Sequence, residues 1–209
     1  MRDDPGPASP LDRLAFAISA VASPFLVLPG FLFLLAVHSA PSVAVALRWS
    51  GLAAAGMVGV PLGFILVEMA RGRVTDVHVR LREQRRGPFI AAIVGCGVST
   101  ALLAMADAAD AMVLAASAAV VNGLFFLGVT LRWKISMHPS ILTACALMAG
   151  ALVAPGWYAT LATVPVVVWA RVRRHRHTWA QGGAAIVVSA LITALMLRVY
   201  LTMLSGSAA

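Results

Sequence analysis

The chain has 209 residues, of which 61% are hydrophobic and 11% are charged, and its mean hydropathy is +0.91. These values lie outside the range of soluble domains and indicate an integral membrane protein. Sixteen basic residues against eight acidic ones give a net charge of +8. Because the basic residues lie in short connections beside apolar runs, we expect them to face membrane lipids rather than nucleic acid.

In chain order, residues 1–13 form a polar tail, and the apolar run behind it is too long to be the core of a cleaved signal peptide. Residues 14–70 predict the first two transmembrane helices, and residues 71–209 predict a helical core. A bilayer is crossed by about 20 apolar helical residues. The predicted fold is an all-α, polytopic membrane helical bundle with six or seven transmembrane helices. The apolar segments are residues 14–38, 45–70, 89–106, 108–131, 138–154, 157–170 and 179–203.

Three of the connections between the predicted helices are rich in Arg and His, namely residues 71–88, 131–138 and 171–178. A pair of predicted helices separates each from the next, so all three are expected at one face of the membrane. Together with the amino terminus, this face holds every basic residue except Arg48 and Arg198. The positive-inside rule therefore places it in the cytoplasm.

Four of the five histidines lie in these connections, at His78, His138, His175 and His177, beside Lys134, the single lysine of the chain. Arginine forks bind phosphate oxygens in pairs, and lysine adds a compact charge. Histidine can attack phosphorus or transfer protons near neutral pH. The three connections therefore predict a site for a phosphate anion.

Two of the segments resemble signatures of the type 2 phosphatidic acid phosphatase superfamily. The run Arg171-x5-His177-x3-Gln181 resembles the third signature of that family, SRxxxxxHxxxD, and Ser136-Met-His138 resembles the PSGH of the second. The intervening pair of short apolar segments also matches the family. The resemblance covers the chain from about residue 71 to the end.

The Arg-rich loop of residues 71–88 stands where the first signature of the family, KxxxxxxRP, belongs. His78-x6-Arg85 keeps the spacing, with His in place of Lys. Arg85 is the best candidate in this loop for a phosphate ligand, followed by Arg82. Asp76 and Glu83 are expected to pair with neighbouring arginines and keep the loop folded.

The resemblance implies a mechanism that needs no metal and no cofactor. His177 would be the nucleophile that forms a phosphohistidine, and His138 would be the general acid and then the base that activates water. His78 and Gln181 would support them. The implied phosphate ligands are Lys134, Ser136, Arg171, Arg85 and Arg82. The implied substrate is a lipid phosphate, either a polyprenyl mono- or diphosphate or a glycerolipid phosphate, in the inner membrane of a bacterium.

The chain departs from the second and third signatures, since Ile135 and Met137 replace the Pro and Gly of PSGH and Gln181 replaces the final Asp. A Gln can accept the ring N–H of the nucleophile but brings no charge. The departures predict either a slower enzyme or a catalytically silent lipid-binding membrane protein of the same fold.

Two other functions use the same segments. The stretch TDVHVRLREQRRGP is faintly similar to the acidic motif of magnesium-dependent membrane prenyltransferases, but it carries only Asp76 and Glu83 as carboxylates. A metal site of histidines is also conceivable, although four arginines beside it disfavour a cation. Its ligands would be His175, His177 and either His78 or His138. Cys96 and Cys145 lie inside apolar runs and are expected to be small core residues.

Overall fold

The computed structural model describes residues 9–207, so most of the predicted polar tail and residues 208–209 lie outside the described residues. Among residues 9–207, every regular element is helical, and there are nine α-helices. A π-helical segment (Ala55–Gly59) and two 3-10 segments (Glu83–Arg85 and Pro155–Thr163) interrupt them. The α-helices are α1 (Pro10–Val21), α2 (Pro24–Ser39), α3 (Val43–Ala54), α4 (Val60–Ala70), α5 (Arg86–Met105), α6 (Asp110–Thr130), α7 (Met137–Leu152), α8 (Val164–Arg173) and α9 (Trp179–Ser207).

Four helical segments within the described residues are long and apolar enough to cross a membrane, namely Val43–Ala70, Glu83–Met105, Asp110–Thr130 and Trp179–Gly206. A bent pair, α1 with α2, would supply a fifth. The predicted count of six or seven is not confirmed. The shortfall comes from α7 and α8, which have 16 and 10 residues. At about 1.5 Å per residue, even α7 is shorter than the hydrocarbon core of roughly 30 Å.

The predicted first span, residues 14–38, is broken into α1 and α2, whose axes differ by 44°. The break follows from Pro24 at the start of α2, because the residue before a proline avoids the α conformation. Ser23 is indeed extended, with φ −62° and ψ 136°. The bend lets α1 pack against α8, where Arg173 Nε lies 2.8 Å from Asp12 Oδ1.

The π-helical segment lies where the second span crosses α5. Pro61 at the second position of α4 has no N–H to donate, which removes one bond of the α-helical ladder beside the π segment. Gly56 and Gly95 meet at the crossing, and a β-carbon on Gly95 would collide with the carbonyl oxygen of Gly56. Ser99 Oγ donates to the carbonyl of Ala53 at 3.2 Å across the same crossing. Two glycines therefore set the close approach of these helices.

The main hydrophobic core is formed by side chains of α2, α3, α5, α6 and α7 together with the π segment. Cys96 and Cys145 are both buried free cysteines in this core, which confirms the expectation that they are small core residues. The core holds α5, α6 and α7 together, and the polar connections lie at one end of it.

Candidate active site

The three polar connections meet at one end of the helices, as the alternation of helix pairs predicted. Arg85 joins the first to the second, since its Nε donates to the carbonyl of Val79 and its Nη1 to the carbonyl of Ile135, both at 2.9 Å. Lys134 joins the second to the third, because its Nζ donates to the carbonyl of Arg176 at 2.6 Å. Polar segments far apart in the chain thus share one site.

A cavity of about 150 Å³ lies at this end of the helices. Its polar wall consists of five residues that the sequence singled out, namely His78, Arg85, His138, Arg171 and His177. Every other residue of the wall is apolar, and these come from α2, the π segment, α4, α5, α7 and the loop between α4 and α5. The cavity therefore combines a cationic, histidine-bearing end with an apolar body.

The turn between α8 and α9 brings Arg171 and His177 together. It is a Schellman motif, in which the Arg176 N–H donates to the Arg171 carbonyl at 3.0 Å and the His175 N–H to the Val172 carbonyl at 2.9 Å. His175 occupies the left-handed position with φ 52°, and its side chain is exposed. The six-residue separation of Arg171 and His177 is thus the span of one helix-ending turn.

The next two residues of the motif form a capping box at the start of α9. The Gln181 N–H donates to Thr178 Oγ1 at 3.3 Å, and the Thr178 N–H donates back to Gln181 Oε1 at 3.2 Å. His177 Nδ1 lies 3.0 Å from the same Oε1. Because a backbone N–H fixes the acceptor end of the amide, Nδ1 must carry the proton, which leaves the lone pair on Nε2.

The charge state of His177 follows from its surroundings. Burial and the nearby cations Arg85, Lys134 and Arg171 lower the pKa of His177 to about 2. The hydrogen bond to Gln181 acts in the opposite direction but is weaker. The imidazole is therefore neutral at physiological pH, as a nucleophile must be.

The start of α7 supplies the second histidine. α7 begins at Met137, one residue before the predicted apolar segment 138–154, and Pro139 lies in its first turn. His138 and Ser136 are 4% and 0% exposed, and their Nε2 and Oγ atoms are buried with no hydrogen-bond partner among the described residues. Such orphaned polar atoms are costly unless a ligand or water satisfies them. His138 lines the cavity, whereas Ser136 does not.

The arginines of the cavity are almost fully buried, with Arg171 3% exposed and Arg85 6% exposed. Arg171 Nη1 donates to Ser19 Oγ of α1 at 3.1 Å, and its Nε is buried with no partner among residues 9–207. Buried guanidinium groups without a carboxylate partner are costly in an apolar bundle. Both side chains are therefore suited to an anion that enters the cavity.

His78 lies against His138, with ring centroids 5.3 Å apart. Its Nε2 is 3.5 Å from Ser23 Oγ at the break between α1 and α2. Burial, and next Arg171, lower the pKa of His78 to about 4, so this ring is also neutral at physiological pH. His78 therefore does not supply the fixed charge of the lysine in the family signature.

The structure places two predicted phosphate ligands at the edge of the site. Lys134 is half-buried, and burial together with Arg85 and Arg171 lowers its pKa to about 8. Arg82 lies farther away, where its Nη1 donates to the carbonyl of Leu131 at 2.7 Å at the end of α6. Neither lines the cavity. Arg82 is held at a helix carboxyl end, where a cation is favourable.

The carboxylates of Asp76 and Glu83 make contacts that stabilise the first loop, as predicted. Asp76 accepts hydrogen bonds from the backbone N–H groups of His78 and Arg80, at 2.9 and 3.1 Å, and pairs with Arg176 at 3.5 Å. Glu83 Oε1 lies 3.5 Å from Arg82 Nε. These contacts leave the loop without the converging carboxylates that a magnesium diphosphate site uses.

The sequence did not single out Ser19 and Ser23, which contact Arg171 and His78 from the broken first helix. The available signal was a pair of serines four residues apart inside an apolar run. Within residues 9–207, no group of three or more His, Cys, Asp or Glu side chains could hold a metal ion. The alternative histidine metal site is therefore not assembled, because His175 is exposed in its turn.

The interpretation of this cavity as a candidate active site rests on its own residues and not on similarity to known proteins. Comparisons of the chain with protein-family models, with curated proteins and with solved structures found no match.

Proposed function

We propose that this chain is a lipid phosphate phosphatase of the membrane, a divergent member of the type 2 phosphatidic acid phosphatase superfamily. The observation that carries the proposal is the cavity in which His177, His138, Arg171 and Arg85 meet beside an apolar wall. The phosphate of the substrate would lie at the cationic end, and its lipid portion would lie along the apolar side chains. The substrate class is a polyprenyl or glycerolipid phosphate.

In the first step, Nε2 of His177 attacks phosphorus, and the bond between phosphorus and the lipid oxygen breaks. The leaving oxygen takes the proton of His138 Nε2, so the products are a lipid alcohol and a phosphohistidine. The phosphate anion favours this proton on His138, because it places negative charge beside the ring. The proton on Nδ1 of His177 stays on that nitrogen and remains hydrogen-bonded to the Gln181 oxygen throughout.

In the second step, water attacks the phosphohistidine and His138 accepts its proton. The bond between phosphorus and Nε2 breaks, inorganic phosphate leaves, and both histidines return to their starting states. Arg85 and Arg171 would hold the equatorial oxygens, where fixed charge stabilises the transition state of phosphoryl transfer. Lys134 adds a positive charge from the edge of the site.

We further propose that the chain resides in the bacterial cytoplasmic membrane with this end of the helices in the cytoplasm. The support is the concentration of basic residues in the three connections, which the positive-inside rule assigns to the cytoplasmic side. The phosphate group would then approach from the cytoplasmic leaflet.

Release of phosphate by the purified protein in detergent, with EDTA present, tests the proposal on a panel of polyprenyl and glycerolipid phosphates. Wild type and His175→Ala are expected to release phosphate at similar rates, because His175 is exposed and outside the cavity. His177→Ala is expected to release none above the blank. Equal release by His177→Ala and wild type would overturn the assignment of the nucleophile.

A catalytically silent lipid phosphate-binding protein is the second candidate, and the capping box favours it. Gln181 is already required by the start of α9, so its presence at this position does not demand a catalytic role. A silent binder would be thermally stabilised by lipid phosphates in EDTA and would release no phosphate from any of them.

A further inference from the structure

A second cavity, of about 110 Å³, adjoins the first and lies deeper between α2, α5, α6 and α7. The two cavities share six wall residues, namely Leu28, Met57, Phe89, Ala92, Met137 and Ile141. Five of these six are large apolar side chains. They form the boundary through which the site of His138 and His177 adjoins the inner cavity.

The wall of the inner cavity combines large apolar side chains with several small residues. Alanine and glycine contribute six of its members, at Ala92, Ala115, Ala118, Ala119, Gly123 and Ala144. Of its polar members, Ser189 Oγ donates to the Ser140 carbonyl at 2.8 Å, and Asn122 Nδ2 donates to the Ala118 carbonyl at 3.0 Å. Asn122 Oδ1 is buried with no hydrogen-bond partner among the described residues.

We propose that the inner cavity receives the end of one hydrocarbon chain of the lipid whose phosphate is held at His138 and His177. The inference rests on the proposed function and deepens it, because it selects single-chain lipid phosphates, alkyl or polyprenyl, by the length of the chain. The apolar wall, and the six wall residues that the inner cavity shares with the cavity of the phosphate end, favour this occupant. Small wall residues leave the space that a chain fills.

The energetic effect of such a cavity is selection rather than affinity. A chain in a bilayer or micelle is already in an apolar medium, so moving it into the cavity gains little from the hydrophobic effect. Filling the cavity with a larger side chain, however, forces a long chain to overpack. A substrate with a short chain ends before the inner cavity and does not meet the added side chain.

The test is the ratio of phosphate release from hexadecyl phosphate to release from hexyl phosphate, both in detergent with EDTA. Ala144→Leu, which adds volume to the wall of the inner cavity, is expected to lower this ratio about tenfold, within the range of overpacking costs. Ala101→Leu is the matched control, because Ala101 lies on the exposed face of α5 and lines neither cavity. An equal ratio in Ala144→Leu, Ala101→Leu and wild type would overturn the inference.

Asn122→Leu is a second variant that keeps the test open if Ala144→Leu does not fold. It keeps the number of side-chain heavy atoms and removes the unpartnered Oδ1, so a hydrocarbon chain would meet an apolar surface instead. The ratio of long-chain to short-chain release is expected to rise severalfold. A fall in the ratio would contradict a hydrocarbon occupant and would indicate ordered water at Asn122.

The same variants separate this inference from the proposed function. If wild type releases no phosphate from either lipid, the phosphatase assignment fails. Binding of the hydrocarbon chain in the inner cavity is then tested by the thermal stabilisation that each alkyl phosphate gives. The inference predicts that hexadecyl phosphate stabilises Ala144→Leu less than wild type, whereas hexyl phosphate stabilises the two proteins equally. Equal stabilisation of the two proteins by hexadecyl phosphate would overturn it.

Discussion

The amide oxygen of Gln181 accepts two hydrogen bonds at once, from the Thr178 N–H and from Nδ1 of His177. The first bond caps α9 and the second orients the imidazole, so the helix start and the nucleophile are fixed by one atom. An Asp at this position would add a negative charge that stabilises the imidazolium form. Gln supplies orientation alone, and burial together with the neighbouring cations keeps His177 neutral.

Replacement of Gln181 separates the two roles. Gln181→Ala removes both bonds to Oε1, whereas Thr178→Ala removes the bond from the Gln181 N–H to Oγ1 and keeps the bond to His177. Each change is expected to cost about 1 kcal/mol in the free energy of unfolding, the usual cost of losing a helix cap. Turnover is expected to fall about tenfold in Gln181→Ala, as when an imidazole loses its orienting partner, and to remain near wild type in Thr178→Ala. Equal turnover in the two variants would leave Gln181 with a capping role only.

The buried neutral histidines predict how stability depends on pH. The pKa of His78 falls from 6.5 to about 4 on folding, so the unfolded chain binds a proton that the folded chain does not bind between these values. The contribution of His78 to the free energy of unfolding is therefore fully present above about pH 6.5. This contribution is lost as the pH falls towards 4. His177, with a pKa of about 2, extends the loss to lower pH.

Melting temperature measured against pH checks this expectation with His78→Gln, which cannot take up the proton. The slope of the melting temperature between pH 4 and 6.5 is expected to be smaller in the variant than in wild type. Parallel curves for the two proteins would contradict the assignment of His78 as a buried neutral group.

At the scale of elements, the geometry of the site depends on helix ends and on one helix crossing. The Schellman turn after α8 and the capping box of α9 bring Arg171 and His177 together, and the start of α7 supplies His138. The π segment meets α5 at Gly56 and Gly95, and Met57 beside that crossing lines both cavities. The crossing therefore sets the width of the apolar part of the site.

A glycine pair on α5 tests the crossing. Gly95→Ala places a β-carbon against the carbonyl oxygen of Gly56, so it is expected to cost about 2 kcal/mol or more and to lower the melting temperature by about 5 °C. Gly97→Ala, two residues along the same helix, meets no atom within 4 Å and is expected to raise stability slightly through helix propensity. A Gly95→Ala protein as stable as wild type would show that the helices do not meet there.

Some elements could be predicted from the sequence and others could not, for reasons that differ by element. The start of α7 at Met137 was predicted to within one residue, because the apolar segment 138–154 begins there directly after a polar connection. The break at Ser23 was missed because the surrounding run is apolar throughout, and apolar content alone does not reveal a bend. The start of α8 was placed too early for the same reason, since the predicted apolar segment 157–170 begins inside the 3-10 segment Pro155–Thr163.

At the scale of the whole molecule, alternation of polar and nonpolar connections predicted that three distant segments meet at one end. Five of the residues proposed from the sequence line one cavity there, while Lys134, Ser136 and Arg82 do not. The apolar wall and the inner cavity could not be predicted, because they depend on how α2, the π segment, α5 and α7 pack. Sequence patterns identify chemistry-bearing residues more readily than the space between helices.

The central claim is that a phosphoryl group passes through Nε2 of His177, and trapping the phosphorylated protein tests it most directly. Purified protein is mixed with a lipid phosphate carrying radiolabelled phosphorus and quenched in alkali, in which phosphohistidine survives, and a matched sample is treated with acid, in which it does not. The account predicts an alkali-stable, acid-labile label on wild type and none on His177→Ala. Release of phosphate by wild type without any trapped label, or a label that persists in His177→Ala, would contradict it.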